Sequence, residues 1–301
     1  MTRSYPWMLL FLAAVWGASY LFIKVAIDEI EPTAMMFFRL LLAAALLVPF
    51  LLVQAGARQG VEELRNAWRP GLVLGVVNAA VPFTLIAWGE KHIDSGVAAI
   101  ANATVPLFVL LLAIRFRPSE RATGWRLAGV LLGFVGVGVL AGGDPETSWW
   151  AVAGTLAVVL ASVAYATGAL YGQLQTADTR GPVLATASMI GGALVLLPFA
   201  LLQLPETMPG WKAVASVAAL SVLGTTLAQL VLFRMLRLHG PARTSLVTYL
   251  LPPTALLYGV VLLDEGLTFA VLGGLALILA GVGLGSGALR LSRPAPVTQS
   301  P

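Results

Sequence analysis

Side chains able to make or break bonds are scarce in this chain. It has no cysteine, so disulfides, thiolate metal sites and thiol nucleophiles are excluded. The two histidines, His92 and His239, lie near opposite faces of the apolar layer and cannot form a dyad, and no H-E-x-x-H or G-x-S-x-G occurs. No G-x-x-x-x-G-K-[ST] phosphate loop is present, which argues against ATP hydrolysis. No metal and no cofactor is expected, and the chain does not read as an enzyme. What remains is the chemistry of recognition. Asn78, Asn102, Gln229 and the pair Thr225/Thr226 can hydrogen-bond amino, carboxylate or hydroxyl groups. Trp16, Tyr20, Tyr165 and Tyr249 can stack an apolar or aromatic solute. Each also has a plainer role, in core packing or in interhelical hydrogen bonds worth about 0.6 kcal/mol on average.

The elements that position these residues follow from composition. The chain is 301 residues long, 58% hydrophobic and 11% charged, against about 25% charged in a soluble domain. A water-facing surface cannot be made from so few charges. Apolar runs near the length that crosses a ~30 Å hydrocarbon core recur along the whole chain, without β-barrel alternation. Ten helical spans are predicted: 7–27, 33–53, 70–90, 96–114, 124–142, 150–171, 183–203, 211–233, 244–263 and 270–289. The first run could be a signal peptide, but its length, its Trp16 and Lys24, and a counterpart in the sixth span favour a retained span. Trp7, Trp68, Trp149, Trp150 and Trp211 sit at span ends as interfacial anchors.

Charge orients the spans. With the N-terminus inside, Arg3, Arg58, Arg65, Arg69, Arg115, Arg117, Arg121, Arg126, Arg180, Arg234, Arg237, Arg243, Arg290 and Arg293 all fall on inner segments, out of 18 basic residues. Outer segments hold only Lys91 and Lys212, while most acids collect there. The bias predicts both termini in the cytoplasm, and it removes any reason to read the net charge of +4 as nucleic-acid affinity. Lys24 and Arg39 lie within spans, where a cation is costly unless paired. Either could snorkel to Asp28, Glu29 and Glu31 at the outer boundary. Lys24 stands an i,i+4 step before Asp28, so pairing and function weigh equally for it; for Arg39 a structural role is preferred.

The chain is also a duplication. Residues 120–138 (ERATGWRLAGVLLGFVGVG) match 265–283 (EGLTFAVLGGLALILAGVG) without a gap, including Glu120/Glu265, Gly129/Gly274 and Gly136/Gly281. VPFLLVQ at 48–54 matches LPFALLQ at 197–203, and Pro32 matches Pro182. Five spans per copy is odd, so the halves should be inverted relative to each other, as in secondary transporters. Pro82, Pro106, Pro252 and Pro253 interrupt spans three, four and nine. Because proline removes a ladder hydrogen bond, these positions are read as hinges rather than static kinks. G-x-x-x-G pairs in spans five and ten predict close helix packing, at the repeat interface or in a dimer.

These residues resemble the drug/metabolite transporter superfamily, specifically its bacterial EamA-type members. WGASYLFIK at 16–24, FFRLLLAA at 37–44 and the repeated E-x-x-T…L-x-G…G-V-G block carry the resemblance, which covers nearly the whole chain. It implies export or exchange of small metabolites, often amino acids, through a cavity lined by spans one, three, four, six, eight and nine. Trp16, Ser19, Tyr20, Lys24, Asn78, Asn102, Tyr165, Thr225, Gln229 and Tyr249 are the implied substrate-binding set. AYATGALYGQ at 164–173 departs from the first copy, placing Tyr165 opposite Trp16 and no cation opposite Lys24.

The expected protein is therefore all-α and integral to the membrane, with ten transmembrane helices in two inverted five-helix repeats, 1–143 and 144–291. A disordered tail at 292–301 follows. It should be a secondary transporter working by alternating access in a bacterial inner membrane, moving amino acids or related metabolites by efflux or exchange. Export of drugs, purine-like or sugar-type solutes, and a channel-like facilitator, are the alternatives. Its partners would be the small-molecule substrate and membrane lipid, with monomer and homodimer both open. No acid is placed at the midplane; Glu90 is deepest, where Lys91 could neutralise it, so no obligatory proton coupling is expected.

Overall fold

The computed structural model describes residues 4–116, 124–142, 148–176 and 178–286, with the side chains of 113–116 and 242 not described. The tail at 292–301, Glu120, and Arg117, Arg121, Arg290 and Arg293 lie outside the described residues. Every regular element among the described residues is helical. Among the described residues, nine helices are long and apolar enough to cross a membrane, including Ser4–Ala26, Pro32–Ala55, Trp68–Glu90, Trp149–Gln175 and Gly181–Leu201. The chain is a multi-pass membrane protein. The tryptophans at span ends (Trp7, Trp68, Trp149, Trp150 and Trp211) are all exposed, as interfacial anchors are.

Local sequence accounts for where helices start and stop. Pro32 and Pro182 each stand in the first turn of their helices, where no intrahelical partner for an N–H is lost. Ser148 caps span six, its hydroxyl accepting from the Ala151 N–H at 3.1 Å. The ninth span is shorter than the predicted 244–263: its helix is Val247–Leu262, 16 residues long. Gly240, at φ 75° and ψ 170°, breaks the preceding helix, and the chain turns through Ser245 before re-entering. A left-handed φ of this kind favours glycine. The segment between spans two and three contains the short helix Ala57–Asn66, tied down by a Glu63–Arg180 ion pair at 2.9 Å.

Three spans are not plain α-helices. Span three passes through a π-helical turn, Val76–Ala80, and span eight through another, Val222–Leu227. Pro82 follows the first of these turns and withholds the N–H that would reach the Asn78 carbonyl. No proline marks the second; there the Thr225 and Thr226 hydroxyls donate back to the Leu220 and Ser221 carbonyls, each at 2.9 Å. Span four stops at Asn102 and restarts at Val105, next to Pro106. Pro252 and Pro253, expected to interrupt span nine, lie inside a helix that continues through them. π-Turns cluster at functional sites, and both halves place one at the same point in the third helix.

Helix packing reflects the duplication. Span five (Trp125–Gly142) packs on span ten (Phe269–Ser286), span two on seven, and span four on nine. Span one packs on nine and eight, as span six packs on four and three. These close pairings recur when each span is exchanged for the one five places on, while spans one and four, and four and ten, also pack together with no equally close counterpart. The five–ten seam is backbone against backbone: a Cβ on Gly129 would lie 2.5 Å from the Gly285 nitrogen and 2.6 Å from the Gly281 oxygen. The glycine stripe is thus spent within the chain, between the repeats.

Gly129→Val should therefore wedge the seam and lower stability by about 1–3 kcal/mol, the usual cost of overpacking. Gly138→Ala, on the same helix with nothing within 4 Å of its would-be Cβ, should leave stability unchanged. Thermal unfolding in detergent checks both, and equal effects would refute the seam.

Candidate functional site

The helix irregularities surround a cavity of about 420 Å³ within the bundle, a size suited to a small organic molecule. Trp16, Ser19 and Tyr20 reach it from span one, and Asn78 from the π-turn of span three. Asn102 comes from the break in span four, Tyr165 from span six, and Thr225 and Gln229 from span eight. Eight of the ten side chains expected to bind substrate are thus brought together on one wall surface. Lys24 and Tyr249 are not on it.

The cavity polar groups hold one another in place. Asn102 donates from Nδ2 to the Tyr20 hydroxyl at 2.9 Å, while its Oδ1 accepts from Ser162 at 3.3 Å. The Trp16 indole N–H donates to the Gly224 carbonyl, a group of the second π-turn, at 3.2 Å. Gly168 faces the Asn78 carboxamide so closely that any Cβ there would displace it. Most of the remaining wall is apolar or aromatic, with Phe83 meeting Tyr165 edge to face at a 6.3 Å centroid separation.

Arg39, for which a structural role was expected, also stands on the cavity wall; it is 5% exposed and forms no ion pair with Asp28, Glu29 or Glu31. Its Nε donates to Thr225 Oγ1 at 3.0 Å and its guanidinium lies 3.9 Å from the Phe83 ring centroid, a cation–π arrangement. No ion pair joins it to a carboxylate among the described residues, and it is the one charged side chain on the wall. Its signal was available: Arg39 stands seven residues after Pro32, as Met189 stands after Pro182, and both line the cavity.

Lys24 serves elsewhere. Its ammonium donates to the Glu90 carbonyl at 2.7 Å and the Ile93 carbonyl at 2.8 Å, closing the end of span three instead of pairing with Asp28. Tyr249 hydrogen-bonds Ser286 at 2.9 Å, away from the cavity. Lys91 does not neutralise Glu90; it pairs with Glu31 at 2.7 Å on the exposed rim. Glu265 accepts from the Ser95 and Gly96 N–H groups at 2.7 and 3.1 Å, so the repeated glutamate of the second half caps a helix of the first.

Next to this cap, the Asp94 carboxyl is held above its ordinary value by partial burial and then by the charge of Glu265, with Lys24 opposing. A raised carboxyl contributes stability that is complete below the ordinary value of 3.8 and is lost as pH rises through the folded value. Asp94→Asn should therefore match the parent in thermal stability near pH 4 and exceed it near pH 8. A gap that does not widen with pH would contradict this.

Comparison with known proteins supports the architecture. The chain matches the model of the EamA-like transporter family twice, over residues 4–142 and 152–286. It is 27% identical over 281 residues to an uncharacterized transporter of Archaeoglobus fulgidus, covering 92% of this chain and 96% of that one. It is 28% identical to the uncharacterized inner membrane transporter YedA of Escherichia coli K12, covering 85% of this chain and 82% of YedA. A probable terminal-alkyne amino-acid exporter of Streptantibioticus cattleyicolor is 30% identical, with 92% and 91% covered. A solved crystal structure shares the fold at a TM-score of 0.65 and 20% identity, over 96% of this chain and 99% of that one. With one match on each half, a membrane-spanning bundle and a largely apolar cavity lined from both halves, the chain belongs to the EamA-like transporter family.

Proposed function

We propose that this transporter moves small organic carboxylates with an apolar or aromatic body, amino acids foremost, by efflux or exchange across a bacterial inner membrane. The observation that carries the reading is Arg39. A buried guanidinium on a cavity wall, without an acidic partner among the described residues, offers its free edge to an anion. The Trp16, Tyr20, Phe83 and Tyr165 rings suit an apolar or aromatic body, and the amides of Asn78, Asn102 and Gln229 suit an amino or hydroxyl group. The exporter name of the S. cattleyicolor relative agrees in class.

The mechanism is alternating access of one half against the other, with the halves inverted about an in-plane axis and both termini cytoplasmic. The neighbour pattern of the spans and the arginine-rich segments support this assignment. Its moving parts would be the π-turns of spans three and eight and the break beside Pro106, where helix hydrogen bonding is already interrupted. Pro82, next to the first π-turn, shares that role.

Counterflow in proteoliposomes across a metabolite panel tests the reading. Solutes bearing a carboxylate and an apolar body should exchange with saturation. Arg39→Met should lower their exchange by about tenfold or more, the loss of at least one charge-assisted contact. Arg39→Lys, a point charge without the planar fork, should fall between. Preferred exchange of cations, or exchange indifferent to Arg39→Met, would refute it.

A further inference from the structure

The end of the bundle that carries Glu90 is shut. Gly89 and Gly154 touch backbone to backbone, a Cβ on either standing 2.8 to 2.9 Å from the other's carbonyl oxygen. Glu265 straps span four from the second half, and Lys24 bridges the carbonyls at the end of span three. Enclosed by these contacts is the Glu90 side chain. It is 0% exposed, and neither of its carboxyl oxygens has a hydrogen-bond partner; the nearby Ser95 hydroxyl also lacks one.

The charged and titratable groups facing it are few. From span one come Lys24 and the Tyr20 phenol, and from the segment before span ten comes Glu265. Asp94 lies on the adjoining turn, within the fields of the same Lys24 and Glu265. Span two contributes Arg39 deeper in the bundle, at Phe83. Span six, packed along this stretch, carries no acid or base beyond tyrosines. The neighbouring His92 is enclosed by the rings of Trp88 and Trp150, and Lys91 is occupied by Glu31.

An ionised carboxylate needs donors for its oxygens, and here neither oxygen receives a hydrogen bond; Lys24 has given two of its three N–H groups to backbone carbonyls. Opening this end would admit water, the missing donor. Ile86, one turn before Glu90, already lines the cavity, so opening there would join Glu90 to the substrate space. We propose that Glu90 is a proton-binding site that gates this end of the cavity. A proton passes from water to the Glu90 carboxylate as the end closes and returns to water as it opens, with no other bond changed. Transport is then linked to pH on that side, contrary to the expectation of an uncoupled carrier. The inference rests on the alternating-access reading, yet its test needs no substrate.

Because the chain has no cysteine, a single introduced thiol reports access. Ile86→Cys is labelled with a membrane-impermeant methanethiosulfonate, and its rate is divided by that of Lys212→Cys, an exposed reference at the same end, at each pH. The ratio should rise with external pH, by up to about tenfold per unit for one coupled proton, and become flat in Glu90→Gln. A flat ratio in the parent, or the same slope in Glu90→Gln, overturns the inference while leaving the transport reading intact. An Ile86→Cys thiol that never reacts from this side overturns alternating access itself. If Glu90→Gln does not fold, Lys24→Gln decides: removing that cation should move the midpoint to higher pH, and an unmoved midpoint overturns the proposal.

Discussion

A full positive charge inside an apolar bundle is the constraint around which this structure is arranged. Arg39 is 5% exposed, and burial of a cation without compensation would cost several kcal/mol. The bundle compensates only in part, through the Thr225 hydroxyl, the Phe83 ring face and the open space of the cavity. Thr225 can accept from Arg39 while donating to Leu220 because span eight is wound as a π-turn there. The irregular helix, the charge and the cavity are therefore one feature. The second half places Met189 where the first places Arg39 in sequence, so a duplicated chain carries a one-sided charge.

Much of this was legible in the chain because membrane insertion is a severe filter. Low charge, repeated apolar runs and matched blocks identified the spans and the duplication, and the spans that line the cavity supplied most of the expected side chains. What was not legible depends on geometry between helices. Lys24 and Arg39 look equivalent in sequence, each a cation within an apolar run. Only packing directs one to backbone carbonyls at the bundle end and the other into the cavity. Tyr249 sits on a cavity-lining span but turns toward Ser286, a choice of helix face that span assignment does not reveal.

Proline was an imperfect guide to irregularity. Pro106 marks a real break, and Pro82 adjoins a π-turn, yet Pro252 and Pro253 are absorbed within span nine. The π-turn in span eight has no proline at all; it is maintained by threonine hydroxyls bonding carbonyls five residues back. Serine and threonine back-bonding of this kind bends apolar helices, but its sequence signature is only two adjacent threonines. Glu265 gives the opposite lesson. In sequence it is a repeated letter, while in the fold it caps a helix of the other half.

The central claim, that the lone guanidinium of the cavity recognises a carboxylate, is tested most directly by calorimetric titration of the purified protein. An aromatic amino acid is compared with its deaminated carboxylate analogue and with its decarboxylated amine. The account predicts that both carboxylates bind and that the amine binds at least about tenfold more weakly, the value of one charge-assisted contact. An amine that binds as well as the parent amino acid would contradict it.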